Sequence, residues 1–349
     1  MTPLPEGLGL VLDPSVRVLE GGKVLIGGSP GRLLTLTDEG AGALEDLFGA
    51  EDTSEATRRL ARRLVDAGMA HPRPRAPVAP ATVARRVSVV IPVLDRPDAL
   101  AGCLGSLRQT DEGATVPVVV VDDGSRDPAA IEEVSRRFDA RLVVRPANGG
   151  PAAARNDGVG AVDTELVAFL DSDCTISGDW LAPLLGFFDD PAVGAVAPRI
   201  RPAGDTERSS VLARFAERHS DLDMGDRESA VGPERPVRYV PAAALVVRKA
   251  ALSDAFDASL RIGEDVDLVW RLDDSGWSVR YVPEVEVAHD LDAFYTWFVE
   301  PSLEHFTRIS AFSDAEANAF LTDLKERARR GHYFSSRTYY TILATLPSE

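Results

Sequence analysis

The stretch Glu165-Leu166-Val167-Ala168-Phe169-Leu170-Asp171-Ser172-Asp173-Cys174 is apolar for five residues and then stops at two carboxylates one residue apart. A run this short and this apolar predicts a strand covered on both faces, and ligands of open α/β sheets sit beyond the carboxyl ends of such strands. Asp171 and Asp173 therefore occupy candidate ligand-binding ground. The acid pair alone is weak, because Asp and Glu make 55 of 349 residues and chance alone supplies about nine acid-x-acid triplets. An earlier stretch of the same design strengthens it: Val118-Val119-Val120-Val121 runs into Asp122-Asp123-Gly124-Ser125. If right-handed crossovers make the two strands parallel, both carboxylate sets project from one edge and converge on one ligand. The alternative, turn aspartates capping the next helices, explains either stretch alone better than both together.

Outward from these stretches the pattern alternates strand and helix. Val87 to Val93 predicts a strand, Asp95 and Pro97 open a helix with Leu100, Leu104 and Leu107 on one face, and Asp127 and Pro128 repeat the start signal. Leu142 to Val144 predicts another strand, and Asn148-Gly149-Gly150-Pro151 leads into a helix beginning Ala152-Ala153-Ala154-Arg155-Asn156. Such a series binds nucleotides at its switch point, yet neither Gly-x-Gly-x-x-Gly nor Gly-x-x-x-x-Gly-Lys occurs. Carboxylates with a divalent metal are the available substitute for a phosphate-gripping loop. In the second half, Trp180, Leu184, Phe187 and Phe188 predict a helix stripe, Val193 to Val196 a strand, residues 201 to 236 a polar surface excursion, and Tyr239 to Val247 a return to the core. Gly263-Glu264-Asp265-Val266-Asp267 opens a helix with acids in its first turn, where they suit the dipole. Trp277 to Val282 and Val285 to Ala288 predict two strands, the second ending at His289, and residues 313 to 330 a charged amphipathic helix.

Ahead of this pattern, Val16 to Leu19 and Lys23 to Ile26 flank Glu20-Gly21-Gly22 as a hairpin, with Leu33 to Leu36 as a third strand. A helix is expected over 38 to 48 with Leu44, Leu47 and Phe48 inward, and a second from Asp52 or Thr53, with Asp52 and Glu55 at capping-box spacing. Leu60, Leu64 and Val65 give the second helix an apolar stripe; Arg58, Arg59, Arg62 and Arg63 read as a solvated surface or a face for an acidic peptide. Residues 72 to 86 carry the proline-rich composition of a semi-rigid linker. A formal net charge of −17 disfavours a non-specific grip on nucleic acid or an anionic membrane, so an anionic ligand needs local cations or a metal. Cys103 and Cys174 form no paired spacing, and no apolar run is long enough to span a bilayer, so a cytoplasmic chain without disulfides or integral membrane segment is expected.

Val87-Ser88-Val89-Val90-Ile91-Pro92, Val121-Asp122-Asp123-Gly124-Ser125, Asn148-Gly149-Gly150 with Ala154-Arg155-Asn156, Asp171-Ser172-Asp173 and Gly263-Glu264-Asp265, in this order, resemble glycosyltransferase family 2, inverting enzymes of GT-A fold that use nucleotide sugars. The resemblance implies an α/β fold with a Rossmann-like mixed sheet. It implies that Pro92 and Asp123 line the nucleoside pocket, that Arg155 lies near the diphosphate, and that Asp171, Ser172 and Asp173 serve ribose, sugar and metal. Asp265 is implied as catalytic base, with Asp122 and Glu264 in support. A nucleotide diphosphate in an acidic site calls for Mg²⁺ or Mn²⁺ on Asp173, since hard cations bridge carboxylate to phosphate oxygens. His289 is the second metal candidate, with a packed polar residue as its alternative. An unperturbed Asp, near 3.9, is a poor base for a free alcohol, so proton transfer belongs within the transition state. Glu264 and Asp267 are the carboxylates that compete with Asp265 for this role. Gly263 stands where many family members carry Thr, and Gln-x-x-Arg-Trp, a mark of cellulose-synthase-like polymerases, does not occur.

The amino-terminal segment resembles PqqD-like modules, small winged-helix-like α+β domains that bind precursor peptides. That resemblance rests on the hairpin, on Leu34-Thr35-Leu36-Thr37 before a helix, and on Leu64-Val65-Asp66-Ala67-Gly68-Met69 closing the next; the alternative is a generic helical cap. The division expected is 1–75 PqqD-like, 76–86 linker, 87–292 GT-A domain and 293–349 helical extension. A PqqD-like module fused to a family 2 domain is similar to the glycosyltransferases of mycofactocin systems. This implies glucose transfer from UDP-glucose onto the mycofactocin precursor, a peptide-derived redox cofactor precursor. Two readings compete: a polysaccharide or lipid acceptor, and a peptide-binding carrier whose transferase-like domain is not catalytic.

Overall fold

The structure, a computed structural model, describes residues 2–49, 54–74, 76, 78–203, 220, 222–253, 255–260, 262–290 and the single position 315. Met1–Ile200 and Met224–Ala288 form one compact unit, and Arg201–Asp223 with His289–Glu349 form a second. The helical extension expected over 293–349 and the amphipathic helix expected over 313–330 lie, apart from position 315, outside the described residues. No helix among the described residues is long and apolar enough to cross a membrane.

The chain starts with β1 (Leu8–Leu12), β2 (Arg17–Leu19), β3 (Val24–Gly27) and β4 (Arg32–Thr35), followed by α1 (Asp38–Gly49), α2 (Glu55–Asp66), β5 (Ala70–Pro74) and α3 (Pro80–Arg86). The expected hairpin and third strand form the antiparallel sheet β2-β3-β4. Leu25, Leu44, Leu60, Leu64 and Met69 fill the core beneath it. Phe48 departs from the expectation and stays 47% exposed. Ser54, rather than Asp52 or Thr53, caps α2, its hydroxyl accepting from Thr57 N at 3.2 Å; Asp52 and Thr53 are outside the described residues. Two elements occupy what reads as linker. Pro72 and Pro74 lie in β5, which pairs antiparallel with β1 in a two-stranded sheet, where both strands are edges and tolerate a missing N–H. Pro80 starts α3, a first-turn position that needs no N–H donor.

From here the chain builds one mixed sheet. Its elements are β6 (Val87–Val93), α4 (Pro97–Arg108), β7 (Val118–Asp122), α5 (Pro128–Arg137), β8 (Arg141–Val144), α6 (Pro151–Gly160), β9 (Leu166–Leu170), β10 (Cys174–Thr175), α7 (Leu181–Leu185), β11 (Val193–Pro202), β12 (Ser229–Val231), β13 (Ala244–Arg248), α8 (Glu264–Asp274) and β14 (Ser278–His289). The described sheet runs β10-β14-β11-β13-β9-β6-β7-β8, with β12 against β14. β6 is parallel to both β7 and β9, so the two acid-terminated strands do end at one edge. β13 then adds antiparallel to β9, with Ala244 opposite Leu170. The central strands β6, β7, β9 and β13 are buried along nearly their whole length, as strands covered on both faces are. α6 lies so close that a Cβ on Gly158 would stand 2.2 Å from Val90 Cγ1. The second half departs from its reading in three ways. β11 continues to Pro202, β12 forms within the expected excursion, and the two strands expected over 277–288 are one continuous strand. Residues 204–219 and 221 of that excursion lie outside the described residues.

Buried charge joins the amino-terminal elements to this sheet. Arg62, expected on a solvated face, is buried and donates from one terminal nitrogen to both carboxylate oxygens of Asp190 at 2.7 Å. His71 donates from Nε2 to Asp13 at 3.0 Å, which leaves Nδ1 to accept from Arg280 at 2.9 Å. Arg280 also donates to Glu228 at 3.1 Å. A buried ion pair that loses one partner strands the other charge, at a cost of about 3–5 kcal/mol. Arg62→Ala is expected to destabilise the chain by about that amount in chemical denaturation, while Arg59→Ala, whose ion pair with Glu55 is exposed, changes stability by less than about 1 kcal/mol. Equal effects of the two would contradict a buried bridge.

Candidate active site

The site begins where β7 and β9 stop. Asp122, fully buried, accepts from Ser125 N at 2.9 Å through Oδ1, and its Oδ2 has no hydrogen-bond partner among the described residues. Asp123 accepts from Gly149 N at 3.0 Å and Gly150 N at 2.8 Å, and is paired with the Arg145 guanidinium. In this conformation Asp123 organises the turn that leads into α6. Gly150, at φ 87°, is the N-cap of that helix. Pro92 is half-buried in β6, opposite Val121 of β7. Pro92, Asp122 and Asp123 thus share the sheet edge with Asp171.

α6 carries Arg155 into the space between the two halves of the sheet. Its buried guanidinium donates to Asp171 Oδ1 at 2.7 Å and to Glu264 Oε1 at 2.9 Å, and lies 5.4 Å from the centre of the Phe256 ring. The position expected to face a diphosphate is therefore engaged with two carboxylates. The next residue, Asn156, accepts from Phe256 N at 2.9 Å and donates to Phe256 O at 2.8 Å, which fixes the segment before α8. Reading Ala154-Arg155-Asn156 as one motif marked both positions, but not that one residue binds side chains and the other backbone.

α8 opens at Gly263, which holds φ 85°, and its first turn presents three acids. Glu264 is held by Arg155, and Asp267 pairs with Arg271 one turn on at 2.8 Å. Among the described residues Asp265 is the one of the three without an ion pair, and its Oδ1 accepts from Val266 N at 2.8 Å. Burial, and then the negative charge of Glu264, push its carboxyl above the ordinary Asp value, against the opposing pull of backbone N–H groups and Arg155. Asp265 thus differs from Glu264 and Asp267 in having no ion pair among the described residues. Ala242 N–H lies within reach of Asp265, and the next residue accepts from Asp171 N at 2.9 Å through Ala243 O. Asp171 and Asp265 are thus held against consecutive residues just before β13.

Beyond Asp171, Ser172 is buried and Asp173 pairs with Arg96 at 2.9 Å. Arg96, the N-cap residue of α4, carried no sequence signal, because a lone Arg before a helix reads as surface. Cys103 Sγ donates weakly to Asp171 O at 3.6 Å and Cys174 Sγ to Ala243 O at 3.4 Å. Burial and the neighbouring carboxylates push both thiols up, so they stay neutral and serve as packing. His289 is the last residue of β14. β14 is the hydrogen-bonded neighbour of β10, which begins directly after Asp173.

The glycosyl transferase family 2 model matches residues 88–252, the span that holds β6 to β13. A Mycobacterium tuberculosis pre-mycofactocin glycosyltransferase is 45% identical over 292 residues, which is 83% of this chain and 59% of that protein. The chain thus spans about three-fifths of that relative's length. A Rhizobium meliloti N-acetylglucosaminyltransferase is 31% identical over 222 residues, 58% of this chain and 50% of that protein. Among solved structures, a Pyrobaculum calidifontis mannosyltransferase in complex with GDP-Man and Mn²⁺ aligns at TM-score 0.49 and 19% identity, over 78% of this chain and 79% of that one. Residues 88–252, which hold the parallel strands whose acids gather at one edge of the mixed sheet, match glycosyl transferase family 2.

Proposed function

We propose that this chain transfers glucose from UDP-glucose, with inversion, to a hydroxyl of a peptide-derived redox cofactor precursor, the mycofactocin precursor, with Asp265 as general base. The observation that carries the reading is the meeting of Asp171, Glu264 and Asp265 around the buried Arg155. The acceptor class is supported by the 45% identity to a pre-mycofactocin glycosyltransferase. Asp265 accepts the proton of the acceptor hydroxyl as that oxygen attacks the anomeric carbon on the face opposite the diphosphate. A proton affinity raised by burial and by Glu264 brings this base nearer to its task than an ordinary Asp. Arg155 holds Glu264 in place beside it.

The donor set suits a hard divalent cation, Mn²⁺ or Mg²⁺. Asp173 offers carboxylate oxygen, and His289 is the second candidate, an imidazole nitrogen, on the family resemblance alone. When bound, the cation supplies charge neutralisation for the departing diphosphate. Pro92, Asp123, Asp171 and Ser172 are assigned to the nucleoside and sugar of the donor. The amino-terminal elements, read as a PqqD-like module, are assigned to the acceptor. Ile26 and Leu33, register partners on β3 and β4, are exposed there.

Asp265→Asn is expected to keep UDP affinity within about twofold and to lower transfer by roughly 10²- to 10⁴-fold; isothermal titration and product analysis read the two, and full transfer by the variant would refute the base assignment. Transfer requires ionised Asp265, so the rate rises with pH through its raised pKa to a plateau. Glu264→Gln removes a charge that raises that pKa, so the acid limb of kcat/KM is expected to move to lower pH; a limb that stays or moves up would contradict the geometry. Leu33→Asp is expected to weaken acceptor binding while acceptor-free UDP-glucose hydrolysis survives. An unchanged acceptor KM would remove the module from acceptor recognition and favour a polysaccharide or lipid acceptor.

A further inference from the structure

Asp173, assigned above to the donor's cation, already has a cation on it. The guanidinium of Arg96 donates from a terminal nitrogen to Asp173 Oδ2 at 2.9 Å, with the carboxylate nearly buried and the arginine a quarter exposed. The backbone beside Arg96 is pinned. Asp95 holds φ 55°, its N–H donates to Ser125 Oγ at 2.9 Å, and its carboxylate accepts from Arg126 N at 2.8 Å. A movement of Arg96 is therefore a swing of a long side chain about a fixed root, the N-cap of α4. Resting on the donor and cation reading, we propose that Arg96 is a positioning residue that holds Asp173 in the nucleotide-free chain, yields it to the divalent cation, and moves to the diphosphate that arrives with that cation.

Charge balance drives the exchange. A divalent cation approaching Asp173 meets a guanidinium on the same oxygen, and like charges so close repel in a partly buried site. Displacing Arg96 leaves its charge without that carboxylate unless another anion takes it. A nucleotide diphosphate supplies phosphate oxygens with the bidentate geometry that guanidinium favours. Nucleotide and cation then bind with positive coupling. Because coupling is reciprocal, each tightens the other by the same factor. The exchange also keeps Asp173 neutralised at every stage.

The test is Mn²⁺ binding followed by the electron paramagnetic resonance of the unbound ion, on the full chain, with and without UDP. Arg96→Gln is expected to tighten nucleotide-free Mn²⁺ binding about tenfold and to reduce the further tightening caused by UDP by a similar factor. Arg126→Gln, which removes an equal charge from the exposed neighbour that pairs with Asp95, is expected to leave both within about twofold of the native chain. Nucleotide-free binding no tighter in Arg96→Gln than in the native chain overturns the exchange, as does an equal gain in Arg126→Gln, which reduces the effect to net charge. If the native chain binds no Mn²⁺ even with saturating UDP, the cation reading itself falls and the exchange with it.

Discussion

A buried guanidinium needs anions, and the structure meets that need for Arg155 with two carboxylates drawn from distant parts of the chain. Asp171 comes from the end of β9, 16 residues on, and Glu264 from the start of α8, 109 residues on. Removing a charge from water costs several kcal/mol unless it is paired in good geometry, so neither partner is replaceable by a neutral neighbour without loss. The pair of bonds therefore fixes the parallel first half of the sheet against the helix that carries the proposed base. Phe256 beneath the guanidinium and Asn156 on the backbone of Phe256 hold the segment before α8 to α6. What α6 contributes to the site is thus mostly position.

Around that centre, charges of opposite sign are interleaved. A chain with a formal net charge of −17 would repel a nucleotide diphosphate. At the sheet edge, however, Arg96, Arg145 and Arg155 each sit on one of the motif acids. The acids hold the arginines, and the arginines keep the acids from repelling one another. Asp265 stands apart from this pairing, and burial and then the charge of Glu264 raise its proton affinity. At the amino ends of the strands, away from these acids, Arg86 at the end of α3 pairs with Glu165 and Asp189. The Arg62–Asp190 bridge enters the sheet side through the same turn before β11, so the amino-terminal elements are anchored by buried charge as well as by the chain itself.

Much of this fold was legible in the sequence. Four valines ending at Asp122 and five apolar residues ending at Asp171 read as covered strands, parallel if their crossovers are right-handed, and β6, β7 and β9 are parallel. The capping signals at Asp127 and Pro128 and at Gly263 also mark the helices that form. The unread parts have a common cause, which is dependence on distant partners. β5 looks like linker because its prolines suppress strand propensity, and it exists only by pairing with β1 across nearly 60 residues of chain. Arg62 sits among other arginines on α2, and nothing local says that Asp190, 128 residues away, will bury it. Asp123 and Arg155 stood out in the sequence as site candidates, while their hold on Gly149, Gly150, Asp171 and Glu264 did not, because a side chain's partner is a property of packing.

The central claim is that this edge of the sheet moves a sugar from a nucleotide to an acceptor hydroxyl. UDP release from UDP-glucose by the purified chain, with Mn²⁺ or Mg²⁺ and with or without the mycofactocin precursor, tests it most directly. Release stimulated by the precursor and abolished by EDTA is the result predicted. Release that ignores the precursor, or none with UDP-glucose under any of these conditions, would contradict it.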